Sequence, residues 1–164
     1  MNRLFMFLAL FLAAGTLSSQ NAYKFSVIKE NPITSVKNQA STGTCWSFSA
    51  AGMLESELIR MGKGEFNLSE MYIVRKNYED KARKYARLHG SLNFTAGGSF
   101  ADVMETIDDF GIMPEDAYPG LNYGADNHDH GELDKVLKGY MDGIIGARAL
   151  SPVWHEGFSG VLDT

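Results

Sequence analysis

The residues best suited to chemistry lie in one short stretch, residues 36–48, which contains the only cysteine of the chain. Cys45 directly precedes a strongly apolar run, and Thr44 stands where the N-cap of a helix would be. In a first helical turn, unpaired backbone N–H groups and the positive end of the helix dipole favour a thiolate over a thiol. Gln39 offers a side-chain amide to an oxyanion, and Gly43 allows a tight turn before the cysteine. The stretch indicates acyl transfer with Cys45 as nucleophile.

A lone cysteine also has a purely structural interpretation, because a free cysteine packs as a small hydrophobe. Without its neighbours, Cys45 would be assigned to the core. A chain with one cysteine has no intrachain disulfide, no zinc site built on several thiolates and no CxxC redox pair. The spacing of Gln39, Gly43 and Trp46 around the cysteine favours the catalytic interpretation.

Residues 39–48 resemble the active-site segment of the papain-like cysteine peptidases. In that family a glutamine six residues before the cysteine forms the oxyanion hole, and an aromatic residue follows the cysteine. Gln39, Cys45 and Trp46 occupy those places. Thr42 stands where many members have a second, disulfide-forming cysteine. The segment is similar to the branch of bleomycin hydrolase and the bacterial aminopeptidase C, which also lacks the disulfide. The sequence of residues 38–46 resembles that branch closely.

The resemblance implies an α+β papain-like fold, in which a helical half carries the cysteine and a β-rich half carries a histidine and an asparagine. The elements predicted here are nearly all helical, so we expect mainly the helical half, with the β-rich half largely missing. The family's histidine follows the cysteine by about 130–150 residues or more, which from Cys45 lies past Thr164. We therefore expect the histidine and asparagine to come from a C-terminal half, in the same or a second chain.

The glycine pair Gly97 and Gly98 is the second candidate part of the site. From the residues alone, a simple turn and a functional element are equally good interpretations. In papain-like enzymes a glycine pair at this place lines the cleft and hydrogen-bonds an extended peptide through its backbone. The resemblance therefore implies that Gly97 and Gly98 bind the peptide substrate.

Helical spacing predicts a first helix from Cys45 to about residue 61. Its charged residues gather in the second half, so the first half should be buried on all sides. Gly62 should end the helix.

A second helix should follow, with Ser69 as its N-cap. The i,i+4 pairs Glu79–Arg83 and Asp80–Lys84 should lie on its solvated side.

Three further helices complete the pattern. Ser99 and Asp102 resemble a capping box at the start of a third helix, which Gly111 should end. A fourth helix is predicted over residues 132–142, with five residues facing inward: Leu133, Val136, Leu137, Tyr140 and Met141. A serine and a proline at residues 151–152 should open a last helix as N-cap and first helical residue.

His128 and His130 lie among acidic residues, which invites a metal hypothesis. The match to a calcium loop fails, because histidines occupy two ligand positions and Leu137 replaces the closing glutamate. We therefore expect a solvated loop here, with no metal and no cofactor.

Composition and the first residues of the chain limit the remaining possibilities for binding partners and localisation. The net charge of −5 gives no electrostatic basis for binding nucleic acid. Residues 1–19 have the basic start, apolar run and small residues of a signal peptide, which predicts export to a periplasm or outside the cell. Residues 20–164 would then be the N-terminal helical part of a peptidase, and a homo-oligomer is compatible with this. The main hypothesis is a cysteine-type, aminopeptidase-like enzyme acting on peptides; the alternative is an inactive fragment or partner-binding half-domain.

Overall fold

The computed structural model describes residues 23–122 and 124–163, and its backbone contacts divide the chain into Met1–Glu30 and Asn31–Thr164. In the first unit, residues 23–30 contain neither helix nor strand. The predicted signal peptide, residues 1–19, lies outside the described residues. Across the described ranges, no helix is long and apolar enough to span a membrane.

The described part of the second unit is built from five helices. They are α1 (Cys45–Arg60), α2 (Glu70–Arg87), α3 (Phe100–Phe110), α4 (Leu133–Ile145) and α5 (Trp154–Leu162). The central element is α2, because it packs against each of the other four. In place of a sheet, the described residues show two isolated bridges, between Ser41 and Asp129 and between Leu68 and Pro114. This helical architecture agrees with the helical half of a papain-like domain.

The hydrophobic core surrounds the buried face of α2. An aromatic group lies at its centre, where the Phe94 ring contacts those of Tyr78, Tyr85 and Phe158 at centroid distances of 5.4–6.1 Å. Each of these rings is buried. Residues of the loop after α2 are thereby joined to α2 and α5 in one core.

Most predicted helix ends are confirmed. The Ser69 hydroxyl caps α2 by accepting a hydrogen bond from the Tyr72 N–H at 3.0 Å, and Ser99 and Asp102 form the expected capping box of α3. Gly62 follows α1 in the left-handed region, at a φ of 69°. Its N–H donates to the Ile59 carbonyl, and the next N–H donates to the Leu58 carbonyl, each at 2.9 Å. This pair of bonds is the Schellman arrangement, which glycine favours.

The prediction that the first half of α1 is buried on all sides is wrong. Cys45, Ser49 and Met53 form an exposed stripe one helical turn apart, with Met53 51% exposed. By contrast, Glu55 is fully buried. Helical periodicity shows which residues share a face of the helix. It does not show whether neighbouring elements cover one face or all of them.

Of the two charge pairs predicted on α2, one is confirmed and one is wrong. Lys84 and Asp80 form the expected pair at 2.6 Å on the surface. Glu79 is buried instead of solvated, and its partners are Arg75 at 2.8 Å, Lys76 at 3.1 Å and the Ser159 hydroxyl at 3.0 Å. Arg83 is left without the acidic partner that the spacing predicted.

The last two helices also differ from expectation. Helix α4 extends to Ile145, and Val136, predicted to face inward, is 45% exposed. Helix α5 begins at Trp154 rather than at residue 152. The Ser151 hydroxyl accepts from the Val153 N–H at 3.1 Å, so it stabilises a turn before the helix instead of capping it.

Candidate active site

The loop before the nucleophile, residues 38–44, is here called the cysteine loop. Gln39 and Thr42 bond reciprocally: the Gln39 amide donates to the Thr42 carbonyl at 2.8 Å, and the Thr42 hydroxyl donates to the Gln39 carbonyl at 3.0 Å. Asn38 accepts from the Ala40 N–H at 2.9 Å, and Ala40 has a φ of 53°. One N–H of the Gln39 amide is therefore used inside the loop, while the second has no acceptor among the described residues.

Cys45 begins α1 with an exposed side chain. Thr44 occupies the N-cap position, and its carbonyl accepts from the Ser47 and Phe48 N–H groups at 2.9 and 3.3 Å. Its hydroxyl does not cap the helix as predicted, because it shares a hydrogen bond of 2.5 Å with the Thr42 hydroxyl. The sulfur of Cys45 thus lies at an accessible helix start, with no polar partner among the described side chains.

The loop that carries the glycine pair, residues 93–99, is here called the glycine loop. The Trp46 indole N–H donates to the Ala96 carbonyl at 3.0 Å. The same ring lies against Gly98 so closely that an added Cβ would fall 2.6 Å from two ring atoms. The residue after the nucleophile therefore holds the glycine loop, and this places Gly97 and Gly98, both exposed, beside the start of α1.

Close approach, rather than a special backbone angle, explains the glycine before the nucleophile. The φ of Gly43 is outside the left-handed region, and a Cβ there would lie 2.7 Å from that of Ala96. The chain bends at Thr42 and Gly43 as expected, and the contact between the two loops is a further reason for a glycine. Lys81 strengthens the assembly, since its ammonium donates to the Thr95 carbonyl at 3.0 Å and to the Gly97 carbonyl.

Replacing Gly98 with alanine should displace the glycine loop, because the new methyl group would overlap the Trp46 ring. Overpacking of this kind typically destabilises a protein by about 1–3 kcal/mol. Gly97→Ala is the matched control, since its Cβ would meet only the Thr95 hydroxyl at 3.8 Å. Urea unfolding of both variants tests this, and equal stabilities would contradict the proposed contact.

A buried ion cluster anchors the segment that leads into the cysteine loop. The Lys37 ammonium contacts the carboxylates of Glu55 and Glu70 at 2.8 and 2.7 Å. Glu55 also accepts from the Leu68 N–H at 2.8 Å and from the Thr34 hydroxyl at 2.5 Å. Burial alone would raise the pKa of Glu55, but these hydrogen bonds lower it. For Glu70 the effect of burial is larger than that of its bonds, so its pKa is raised. Sequence reasoning missed this cluster, although a glutamate inside an apolar helix was its signal.

The loop containing His128 and His130 holds the other side of the cysteine loop. The Ser41 N–H donates to the His128 carbonyl, and the His130 N–H donates to the Ser41 carbonyl, both at 3.1 Å. The His130 ring is buried, and its Nδ1 has no partner among the described residues. Burial lowers the pKa of His130, although Asp134 and Asp129 oppose the effect.

Stability should therefore fall as the pH drops through the range in which an unfolded histidine takes up its proton, near 6.5. A histidine with a lowered pKa binds that proton more weakly when folded, so acid favours the unfolded chain. The loss has a ceiling of about 1.4 kcal/mol per pH unit. His130→Gln should flatten this dependence in urea unfolding between pH 7.5 and 5.5, while His89→Asn, at an exposed position with a φ of 48°, should not. An unchanged slope in His130→Gln would refute this assignment.

None of the four histidines reaches the nucleophile. His89, His128, His130 and His155 are all described, and none makes a hydrogen bond with Cys45. Within the described ranges, no group of three or more His, Cys, Asp or Glu side chains is arranged to hold a metal ion. What the structure brings together is a cysteine, an indole and a glycine-rich backbone.

Comparison with known proteins agrees with this geometry. A family model described as "Papain family cysteine protease" matches residues 22–143, most of the chain. Bovine (Bos taurus) pro-cathepsin H is 42% identical over 93 residues, which cover 56% of this chain and 24% of that protein. A cathepsin L-like protein of Caenorhabditis elegans is 38% identical over 114 residues, covering 67% and 30%.

A viral cathepsin of Choristoneura fumiferana nuclear polyhedrosis virus is 37% identical over 99 residues, covering 60% of this chain and 26% of that protein. The matches to these three relatives thus span only about a quarter to a third of the relatives' own length. Because the family model covers well over half of the chain and includes the cysteine loop, α1 and the glycine loop, this chain belongs to the papain family of cysteine proteases.

Proposed function

We propose that this chain supplies the nucleophile and part of the substrate cleft of a peptidase that hydrolyses peptide bonds through Cys45. The proposal is carried by one observation: the exposed cysteine at the start of α1 is coupled through Trp46 to the glycine loop. The thiolate would attack the peptide carbonyl carbon and form a C–S bond. The free N–H of Gln39 would stabilise the resulting oxyanion, and Gly97 and Gly98 would align the peptide backbone.

The reaction also requires an imidazole to protonate the leaving amine and then to activate the water that hydrolyses the acyl-enzyme. We propose that this group, with its orienting asparagine, comes from a C-terminal half in the same or a second chain. The absence of any hydrogen bond between Cys45 and the four histidines supports this. The intact mass of the native protein, tracked through the peptide containing Cys45, tests it. A species far heavier than 18.1 kDa or a firmly bound second chain is expected; a lone species near that mass would refute it.

Aminopeptidase action is the finer part of the proposal. It is supported by the amino-acid sequence of residues 38–46, which resembles that of the aminopeptidase C and bleomycin hydrolase branch. Against it, none of the three relatives described above is named as an aminopeptidase. Cleavage within chains is the competing specificity. Leucyl-aminomethylcoumarin and its N-acetylated form separate the two. An aminopeptidase should cleave the free-amine substrate at least tenfold faster, and equal cleavage would refute exopeptidase action.

A second candidate is a half-domain that binds a partner without catalysis, since no imidazole contacts Cys45 within the described part of the chain. A peptidyl chloromethyl ketone distinguishes the two functions in the native protein. Covalent labelling of Cys45 much faster than that of free cysteine supports the peptidase. A rate equal to that of free cysteine supports the binding half-domain.

Export is proposed from the pattern of residues 1–19. Determining the N-terminal residue of the native protein tests this. A start near residue 20 is expected, whereas an intact Met1 would contradict cleavage.

A further inference from the structure

A cavity remote in sequence from the cysteine loop lies between the C-terminal part of α2 and the start of α5. Its volume is about 360 Å³, which is at the small end of the range for small-molecule sites. Its lining consists of Arg83, Ala86, Arg87, Leu150, Trp154 and His155. No carboxylate of the described residues is part of this lining, so the cavity is cationic in a chain of net charge −5.

The two arginines of this cavity have no side-chain partner within the described part of the chain. Arg83 and Arg87 lie one helical turn apart on α2, where like charges repel each other. Glu79, the partner expected for Arg83, is already bonded to Arg75 and Lys76. Across the described ranges, neither Arg83 nor Arg87 makes an ion pair or a hydrogen bond with a side chain. Two unpaired guanidinium groups on one wall match a bound oxyanion, for which arginine offers a fork of N–H donors.

The opposite wall is formed by Leu150, Trp154 and His155. The Nε2 of His155 is buried and has no partner among the described residues. Beside it, the Trp154 ring packs edge-on against the histidine at 5.2 Å and, with Leu150, supplies an apolar surface. The cavity thus combines two guanidinium groups with a flat apolar surface.

We propose that this cavity binds a small organic anion, with a carboxylate or phosphate group held by Arg83 and Arg87 and a flat apolar portion against Trp154. The site is separate from the chemistry of Cys45, so it stands or falls independently of the peptidase proposal. Carboxylate and phosphate both present a pair of acceptor oxygens to which a guanidinium group can donate two parallel hydrogen bonds. Phenyl phosphate and benzoate are probes of suitable size, and inorganic phosphate is the probe without an apolar portion.

The test is a titration of the full chain with each probe, followed by the indole N–H signals of its two tryptophans in NMR spectra. Trp154 lies in the cavity, whereas Trp46 is committed to the Ala96 carbonyl and serves as the internal reference. We expect a saturable shift of the Trp154 signal alone, with an aromatic probe binding at least about tenfold more tightly than inorganic phosphate. The tighter of benzoate and phenyl phosphate identifies the anionic group. Equal affinity for all three would mean an adventitious ion only and would overturn the proposal.

Matched variants localise the binding. Arg83→Gln with Arg87→Gln should weaken probe binding by at least about tenfold, as the loss of charge-assisted hydrogen bonds predicts. Arg60→Gln removes the same charge from an exposed arginine of α1 and should leave binding unchanged. If the double variant does not fold, Arg87→Gln alone changes an exposed side chain and should still weaken binding severalfold. Wild-type affinity in these variants, or no saturable Trp154 shift, would overturn the proposal.

Discussion

Replacing Cys45 with serine is expected to abolish labelling by peptidyl chloromethyl ketones and to lower peptidase turnover by at least about 10⁴-fold in the native protein. Cys45 is the only thiol of the chain, so no other residue can form the same acyl-enzyme. Serine keeps the shape of the site, but its hydroxyl is a far weaker nucleophile than a thiolate. Hydrolysis of a fluorogenic peptide and the mass of the labelled chain measure the two losses.

The control moves the thiol by one turn along the exposed stripe of α1. Cys45→Ser combined with Ser49→Cys keeps an accessible cysteine on the same helix face. This variant should react with iodoacetamide but should neither cleave peptides nor react quickly with peptidyl reagents, because its thiol lies beyond the first turn. Peptidase activity retained in Cys45→Ser would refute the assigned nucleophile.

Replacing Lys37 with methionine should destabilise the fold by about 3–5 kcal/mol, the typical effect of removing one member of a buried ion pair. The carboxylates of Glu55 and Glu70 would remain buried without their cation. For a chain of this size the melting temperature should fall by about 10 °C. Lys63→Met, at an exposed lysine, is the matched control and should change stability by less than about 0.5 kcal/mol.

The pH dependence of this loss identifies its electrostatic origin. Lys37 has a raised pKa, so its contribution is complete below about 10.5 and is lost as the pH rises further. Glu55 has a lowered pKa, so its contribution is present above about 4.5 and is lost in stronger acid. Burial raises the pKa of Glu70, so this second partner loses its charge at a higher pH than Glu55. The difference between wild type and Lys37→Met should therefore be largest below about 10.5 and above the range in which Glu70 is protonated. Glu55→Gln and Glu70→Gln, added to Lys37→Met, should recover part of the stability; no recovery would indicate lost packing instead.

Local sequence signals predicted the helix boundaries well where a single side chain decides them. Ser69, Ser99 with Asp102, and Gly62 act within one helical turn, so a few neighbouring residues contain the whole explanation. Ser151 failed as a cap because the same hydroxyl satisfies a turn equally well. Short-range patterns offer such alternatives, and the tertiary environment chooses between them.

Long-range partners of charged residues could not be deduced from spacing. Glu79 was expected to pair with Arg83 on the surface, but it bonds to Ser159, eighty residues away in sequence, as well as to Arg75. Glu55 lies in the helix of the nucleophile, yet its partner Lys37 precedes the cysteine loop. Whether a charged residue at the edge of an apolar stripe is buried or solvated is ambiguous from the sequence. Burial beside a distant partner leaves no periodic pattern around that residue.

The candidate site was predicted in its parts but not in its assembly. Gln39, Cys45, Gly97 and Gly98 were all identified from residue types and family resemblance, and their catalytic and binding roles stay predictions. The sequence did not reveal that Trp46 connects them, nor that Gly43 is required by the proximity of Ala96. These contacts join residues about fifty positions apart, which only the folded chain brings together.

The indole of Trp46 has a consequence for how this cleft could diversify. The Trp46 ring is covalently next to the nucleophile and lies against Gly98. Together with the Lys81 hydrogen bonds and the contact between Gly43 and Ala96, it fixes the glycine loop beside the cysteine loop. If Gly97 and Gly98 bind the substrate as proposed, a substrate of different length or shape would not be accommodated by movement of the glycine loop. Variation is expected instead on the far side of Ser99, where the exposed side chains of Phe100 and Met104 take no part in these contacts.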